Sequence, residues 1–145
     1  MAIRKATNEE TQTILNHALI VMKEATNGQV MLSWEKAQEF IWPFLENGGY
    51  YLVSTKNNVI QGWIAIGVSY DPYLDKMVGF INEIYVLPAY RKQGIAKELC
   101  KEARNRFRQL GYNQIQLNVF SGNPAKQLYK KLGFHEVMTL MQWNI

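Results

Sequence analysis

The chain has 145 residues, 48% of them hydrophobic and 12% aromatic, which is enough to bury one sizeable core and too apolar for a disordered polypeptide. A formal net charge of +4 favours anionic ligands without demanding nucleic acid, and a single cysteine, Cys100, excludes a disulfide framework. "MAIRKATNEE" has no apolar signal core and no apolar run approaches the ~20 residues of a membrane helix, so the expectation is one cytoplasmic domain over 1–145 with neither membrane nor nucleic-acid partners.

The opening "AIRKA" reads as a short strand. Thr7 with Glu10 three residues on forms a capping-box pattern and predicts a helix, whose Ile14, Leu15, Ala18, Leu19 and Met22 recur at helical spacing. "ATNGQ" breaks it. Ser33 predicts the cap of a second helix with Ala37, Phe40, Ile41, Phe44 and Leu45 on one face, which Pro43 should kink or divide. The period then changes. "YYLVST" and "VIQGWIAIGVSY" flank Lys56-Asn57-Asn58, a tight hairpin turn because Asn tolerates positive φ. "MVGFINEIYVL" is a third long apolar strand. A helix from about Lys92 to Leu110 stops at Gly111, and "QIQLNVF" is a further strand. The loop "SGNP" leads to the helix "AKQLYKKL", closed by Gly133, and a final strand pair is predicted from Phe134 to Trp143. The fold class is α/β: a mixed, mostly antiparallel sheet with helices packed on it.

The segment most in need of a function is "VLPAYRKQGIAKEL". A helix N-terminus presents unpaired N–H groups and the positive end of a macrodipole, so it attracts anions. Gly94 permits close approach of a ligand, Ala96 keeps the wall shallow, and Arg91 and Lys92 add charge. A plain strand-to-helix turn is the structural alternative. Neither GxGxxG nor GxxxxGK[ST] is present, so the phosphate ligand would be of another kind.

The run Arg91-x-x-Gly94-x-Ala96 resembles the acetyl-CoA motif [RQ]-x-x-G-x-[GA] of the GNAT acetyltransferases. About thirty residues on, "NPAKQLYKKLGF" resembles that family's second motif through Ala125, Leu128, Tyr129, Gly133 and Phe134. The resemblance implies the GNAT acyl-CoA N-acyltransferase fold, acetyl-CoA as cosubstrate, no metal, and transfer to a primary amine in a ternary complex. It further implies that the main chain of Ile84 and Val86 holds the pantetheine arm and thioester oxygen. The loop of Arg91, Lys92, Gln93, Gly94, Ile95 and Ala96 would hold the phosphates, Tyr129 would be the general acid, and Glu83 the general base.

Two positions depart from the family pattern. Lys92 stands where the family often has Gly. Asn123 lies six residues before Tyr129 rather than seven, so Gly122 takes the motif position and a helix face turns by about 100°. Asn123 is therefore both a candidate coenzyme contact and, with Pro124, a cap and first-turn pair.

Each role has a structural counterpart: Tyr129 as a ring packed on the sheet, Glu83 as a strand carboxylate paired with a basic residue. Cys100 beside Leu99 reads as a small buried hydrophobe, and His17 as packed rather than catalytic. The basic residues Lys97, Lys101, Arg104, Arg106 and Arg108 share a helix with the apolar series Ile95, Leu99, Ala103, Phe107, and Glu98 and Glu102 pair along its wet side. The acceptor, a small-molecule or peptide amine, would lie near 31–44 and 70–73, where Trp34, Trp42, Tyr70 and Tyr73 offer aromatic walls and Asp71 and Asp75 negative charge. The alternative to an enzyme is a non-catalytic acetyl-CoA-binding GNAT domain serving as sensor or interaction module. Homodimers are common in the family.

Overall fold

The protein is described here by a computed structural model covering residues 2–145. Five strands form one sheet in the order β1 (Ala2–Lys5), β2 (Tyr50–Lys56), β3 (Val59–Asp71), β4 (Lys76–Val86), β5 (Ile115–Leu117). The first four are antiparallel to their neighbours, and β4 and β5 run parallel. The helices are α1 (Asn8–Leu15), α2 (Ala18–Ala25), α3 (Trp34–Glu46), α4 (Ile95–Gln109) and α5 (Ala125–Leu132). None is long and apolar enough to cross a membrane.

Side-chain alternation along the strands makes two cores, one on each face of the sheet. Leu52, Ile64, Ile66 and Ile81 meet Ile95, Leu99, Cys100, Ala103 and Phe107 of α4 and Tyr129 of α5. Tyr51, Val53, Trp63, Ala65 and Tyr85 on the other face meet Ile14, Leu15 and Val21, with Ile41, Phe44 and Leu45 of α3 alongside. The fit against α4 is close at one point. A Cβ placed on Gly79 would stand 2.8 Å from the Phe107 ring, so β4 needs glycine where the helix crosses it.

The turn between β2 and β3 has Asn57 at φ 52° and Asn58 at φ 62°, the double left-handed conformation a two-residue hairpin needs. Thr7 and Glu10 form the expected reciprocal cap of α1. Arg4 adds a bidentate pair to Glu10 at 2.6 and 2.9 Å, which, with the Thr7 bonds, lowers the Glu10 pKa to about 2. Gly111 and Gly133 follow α4 and α5 at φ 89° and 107°.

Four expectations change. The first helix is two, because the ladder tightens at its end: the His17 N–H bonds the Ile14 carbonyl, three residues back, and the chain turns. Of the two outcomes expected of Pro43, a kink or a division, the division does not occur. Pro43 lacks the N–H that would bond the Glu39 carbonyl, yet the helix runs on to Glu46, and Phe44 and Leu45 still pack on the core. β5 is only three residues long. No strand forms between Phe134 and Trp143; beyond the Phe134 N–H, which bonds the Tyr129 carbonyl at 3.0 Å, that segment makes no backbone hydrogen bond to the other described residues.

Candidate active site

The site begins with an irregularity in β4. Ala65 pairs with Glu83 and Ile66 with Ile81, so Asn82 is an extra, unpaired residue, a β-bulge. Below it, Gly79 and Ile81 belong to the ladder with β5, and the Gly79 N–H bonds the Gln114 carbonyl at 3.0 Å. Above it the Leu87 N–H bonds the Gln61 carbonyl of the β3 side at 2.9 Å. Alternation then turns the N–H and C=O of Ile84 and Val86 away from β3 and toward the β5 side. Pairing with β5 ends at Ile81–Leu117, so the strands part there and leave a wedge beside the Ile84 and Val86 main chain, where the Val86 carbonyl already accepts from Arg91.

The strand delivers the chain to the α4 N-terminus. A short 3₁₀ turn, Pro88–Tyr90, leads to Lys92 at φ 62° and Gly94 at φ 81°. The left-handed conformation costs a lysine about 1 kcal/mol, which accounts for glycine at this place in the resembling motif. The first backbone bond of α4 runs from the Glu98 N–H to the Gly94 carbonyl. No described protein oxygen accepts from the N–H groups of residues 92–97, which include those of Lys92, Gln93, Gly94, Ile95 and Ala96. A Cβ placed on Gly94 meets nothing within 4 Å, so the mouth of the helix is open. A row of free donors at a positive helix end fits an anionic phosphate chain.

The Arg91 side chain turns away from this mouth. Its Nε donates to the Val86 carbonyl at 2.9 Å, a terminal nitrogen donates to Glu24 at 2.7 Å, and its guanidinium lies 5.2 Å from the centre of the Tyr85 ring. Arg91 thus ties α2 to the end of β4. Glu24 gave no signal in the sequence, since nothing in its spacing marks a contact 67 residues distant.

Glu83 points to the face carrying α1–α3 and accepts from the Trp63 indole N–H at 2.7 Å. It has no salt-bridge partner among the described residues, so the structural alternative, a cross-sheet ion pair, is absent. Burial pushes its pKa above the ordinary carboxylate range, with the Trp63 bond opposing the shift. Tyr51 nearby is raised by its own burial and by the Glu83 charge. His17 packs edge-on to Trp63 at 5.4 Å and donates Nδ1–H to the Thr13 carbonyl at 3.0 Å.

Tyr129 lies on the opposite face, 7% exposed, with its ring 5.8 Å from that of Phe134. Burial and the neighbouring Cys100 push its phenol up, and burial pushes the Cys100 thiol up to about 12. No described protein group hydrogen-bonds the Tyr129 hydroxyl. Asn123 is spoken for by the protein: its Oδ1 accepts from the Ala125 N–H at 2.9 Å and its Nδ2 donates to the Ala25 carbonyl at 3.1 Å. It caps α5 and fastens it to the end of α2.

On the acceptor side, Trp34, Trp42, Tyr70 and Tyr73 are exposed. Asp75 serves its own loop, and Asp71 both its loop and β5. Asp71 accepts from the Tyr73 and Leu74 N–H groups and from Gln116 at 2.6 Å, and Asp75 accepts from the Tyr70 hydroxyl at 2.5 Å. A larger hollow between Tyr50, Gly67, Phe107, Leu110 and Tyr112 lies at the far end of α4 from Gly94 and plays no part in this site. Among the described residues no cluster of His, Cys, Asp and Glu has metal-binding geometry.

Comparison with known proteins agrees with this geometry. The sequence model "Acetyltransferase (GNAT) family" matches residues 14–134. A putative acetyl transferase from Pyrococcus furiosus superposes with a TM-score of 0.82 over 99% of both chains, at 20% identity. A GCN5-related N-acetyltransferase from Ralstonia eutropha gives 0.79 at 20% identity, over 99% of this chain and 97% of that one. Among curated proteins, aminoalkylphosphonate N-acetyltransferase of Salmonella typhimurium is 23% identical over 92% of this chain and 84% of its own length. Thialysine N-epsilon-acetyltransferase of Bos taurus is 33% identical over 45% of this chain, a stretch that spans only 39% of the bovine protein. With a wedge beside β4, free donors before α4 and a family match across most of its length, the chain belongs to the GNAT acetyltransferase family.

Proposed function

We propose that this protein is an acetyl-CoA-dependent N-acetyltransferase that acetylates a small primary amine by direct attack in a ternary complex. The observation that carries the reading is the parting of β4 from β5 beyond Ile81–Leu117, directly beside the free N–H groups before α4. Acetyl-CoA supplies the acyl thioester. The N–H groups of residues 92–97 take its phosphates, and the Ile84 and Val86 main chain takes the pantetheine arm.

Glu83 and Tyr129 belong to opposite faces of the sheet, and the reading requires a substrate seated at the end of β4 to reach both. Glu83, its pKa raised by burial, accepts the proton that the neutral amine loses as it attacks the thioester carbonyl. The Val86 N–H donates to the carbonyl oxygen as negative charge develops there. As the new C–N bond forms and the C–S bond breaks, the Tyr129 hydroxyl gives its proton to the departing sulfur. Burial keeps that phenol protonated, which suits an acid. Cys100 stays a thiol and takes no part. Asn123, engaged with Ala25 and Ala125, acts on the coenzyme only through the position of α5.

A small amine is favoured over a peptide because the two curated relatives described above are named for small molecules bearing an amine. The test is thiol release from acetyl-CoA across a panel of aminoalkylphosphonates, amino acids, polyamines and N-terminal peptides, with product mass confirmed. Turnover confined to peptides would reject the small-amine reading. Coenzyme binding without turnover on any amine would favour the non-catalytic domain.

A further inference from the structure

The formal charge of +4 conceals two opposite fields. The helices divide by face: α1–α3 pack on the side of Tyr51, Trp63 and Tyr85, and α4 and α5 on the side of Leu52, Ile64 and Ile81. α1–α3 carry six glutamates against two lysines, whereas α4 and α5 carry eight basic side chains against two glutamates. The basic face adjoins the free N–H groups before α4 and suits the phosphates of a coenzyme. The acidic face has no use in that account. Ion pairing does not cancel it: Glu10 and Glu24 pair with Arg4 and Arg91 from outside these helices, and Glu39 with Lys36. Among the described residues that leaves exposed Glu9, Glu35 and Glu46 without ion-pair partners, against Lys23 alone.

The end of α2 brings this field to the wedge. It is fixed there on both sides: Glu24 holds Arg91, which also donates to the Val86 carbonyl, and the Ala25 carbonyl accepts from Asn123 at 3.1 Å. Four residues on, Gln29 donates to the Ser121 carbonyl at 3.3 Å. A helix C-terminus is the negative end of a macrodipole. Two helix ends of opposite sign therefore meet at the wedge, α4 with its positive end toward the phosphates and α2 with its negative end on the other face. Arg91 is a cation already drawn to that negative end. Glu83 projects to the same face, held by the Trp63 indole, so an amine that gives it a proton arrives from the acidic side.

We propose that the acceptor carries a second positive charge, as a diamine or polyamine does, and that the acidic face of α1–α3 with the negative end of α2 selects it over amines whose tails are neutral or anionic. The inference rests on the acetyltransferase reading above and narrows its substrate class. Opposite fields on the two faces keep the substrates apart in solution, the anionic coenzyme drawn to α4 and α5 and the cationic acceptor to α1–α3. An aminoalkylphosphonate, although it names one relative, would bring an anion to the acidic face.

The test is kcat/KM with acetyl-CoA and four amines of similar length and falling charge: diaminobutane, aminobutanol, aminobutyrate and aminopropylphosphonate. The proposal expects that order, with at least about tenfold between first and last at low ionic strength and a smaller ratio at high salt. Glu35→Lys with Glu39→Lys reverses two exposed charges of α3 and should leave the protein folded by circular dichroism. That variant should compress the ratio at least about threefold. Equal rates on all four amines, or an order led by aminopropylphosphonate, overturn the inference and leave the acetyltransferase reading standing. So does failure to acetylate diaminobutane when another amine of the wider panel is acetylated; no turnover of any amine overturns both. A charge order that survives high salt, or that the double variant leaves unchanged, also overturns the inference, because a local contact would then set the choice.

Discussion

Replacing Tyr129 by Phe removes one hydroxyl from a ring whose packing against Phe134, Leu99 and Cys100 supplies the buried contacts. That hydroxyl has no described protein partner, so its loss orphans no donor or acceptor, and the stability change should stay within about 1 kcal/mol. A general acid contributes about 10²–10⁴ in rate. The lower bound, about 100-fold in kcat, corresponds to ~2.7 kcal/mol of transition-state stabilisation. Steady-state thiol release should therefore fall at least about 100-fold, while calorimetric affinity for acetyl-CoA stays within about twofold. The loss should shrink with an acetyl thioester whose thiol is more acidic, because such a leaving group needs less protonation. Tyr129→Ala would confuse the result, since emptying the site of a buried aromatic costs about 3–5 kcal/mol in packing. Unchanged turnover in Tyr129→Phe, or an equal loss in turnover and coenzyme affinity, would refute the acid role.

Three further outcomes follow from the geometry. Trp63→Phe deletes the one hydrogen bond that holds the Glu83 pKa down, so the acidic limb of the kcat/KM–pH profile should move to higher pH; an unmoved limb would separate Glu83 from the base. Gly79→Ala puts a methyl 2.8 Å from the Phe107 ring and should destabilise the fold by ~1–3 kcal/mol, read as a lowered denaturation midpoint; a neutral result would mean α4 is free to move off β4. Glu24→Gln releases Arg91 from α2. Because this pair is substantially exposed, acetyl-CoA affinity should weaken by no more than about fivefold, with less effect at high salt; a larger, salt-independent loss would require Glu24 to contact the coenzyme directly.

Most of the fold could be read from local patterns. The series Ile95, Leu99, Ala103, Phe107 foretold the buried face of α4, and Asn57-Asn58 foretold the hairpin turn. These features depend on neighbours in the chain. What escaped depends on partners far away or on backbone conformation. No spacing rule reveals that Asn82 is a bulge, yet the bulge decides which main-chain groups of β4 face the wedge. Arg91 was legible as charge near a phosphate loop, but its side chain spends that charge on Glu24 and Val86. Asn123 carried a motif-like position and a cap position together, and its two hydrogen bonds are those of a cap that also binds α2. The strand pattern after Phe134 is plain in the sequence, and its lack of a partner within one chain emerges only when the sheet is assembled.

The central claim, that the open donors before α4 hold the phosphates of acetyl-CoA, is tested most directly by titrating acetyl-CoA into wild type and Gly94→Glu side by side in a calorimeter. Gly94→Asn, uncharged and tolerant of the left-handed conformation, is the control for backbone strain. The account predicts micromolar binding by wild type, reduced but measurable binding by Gly94→Asn, and none by Gly94→Glu, whose carboxylate would face the phosphates. Equal affinity in wild type and Gly94→Glu, or no binding by wild type, would contradict it.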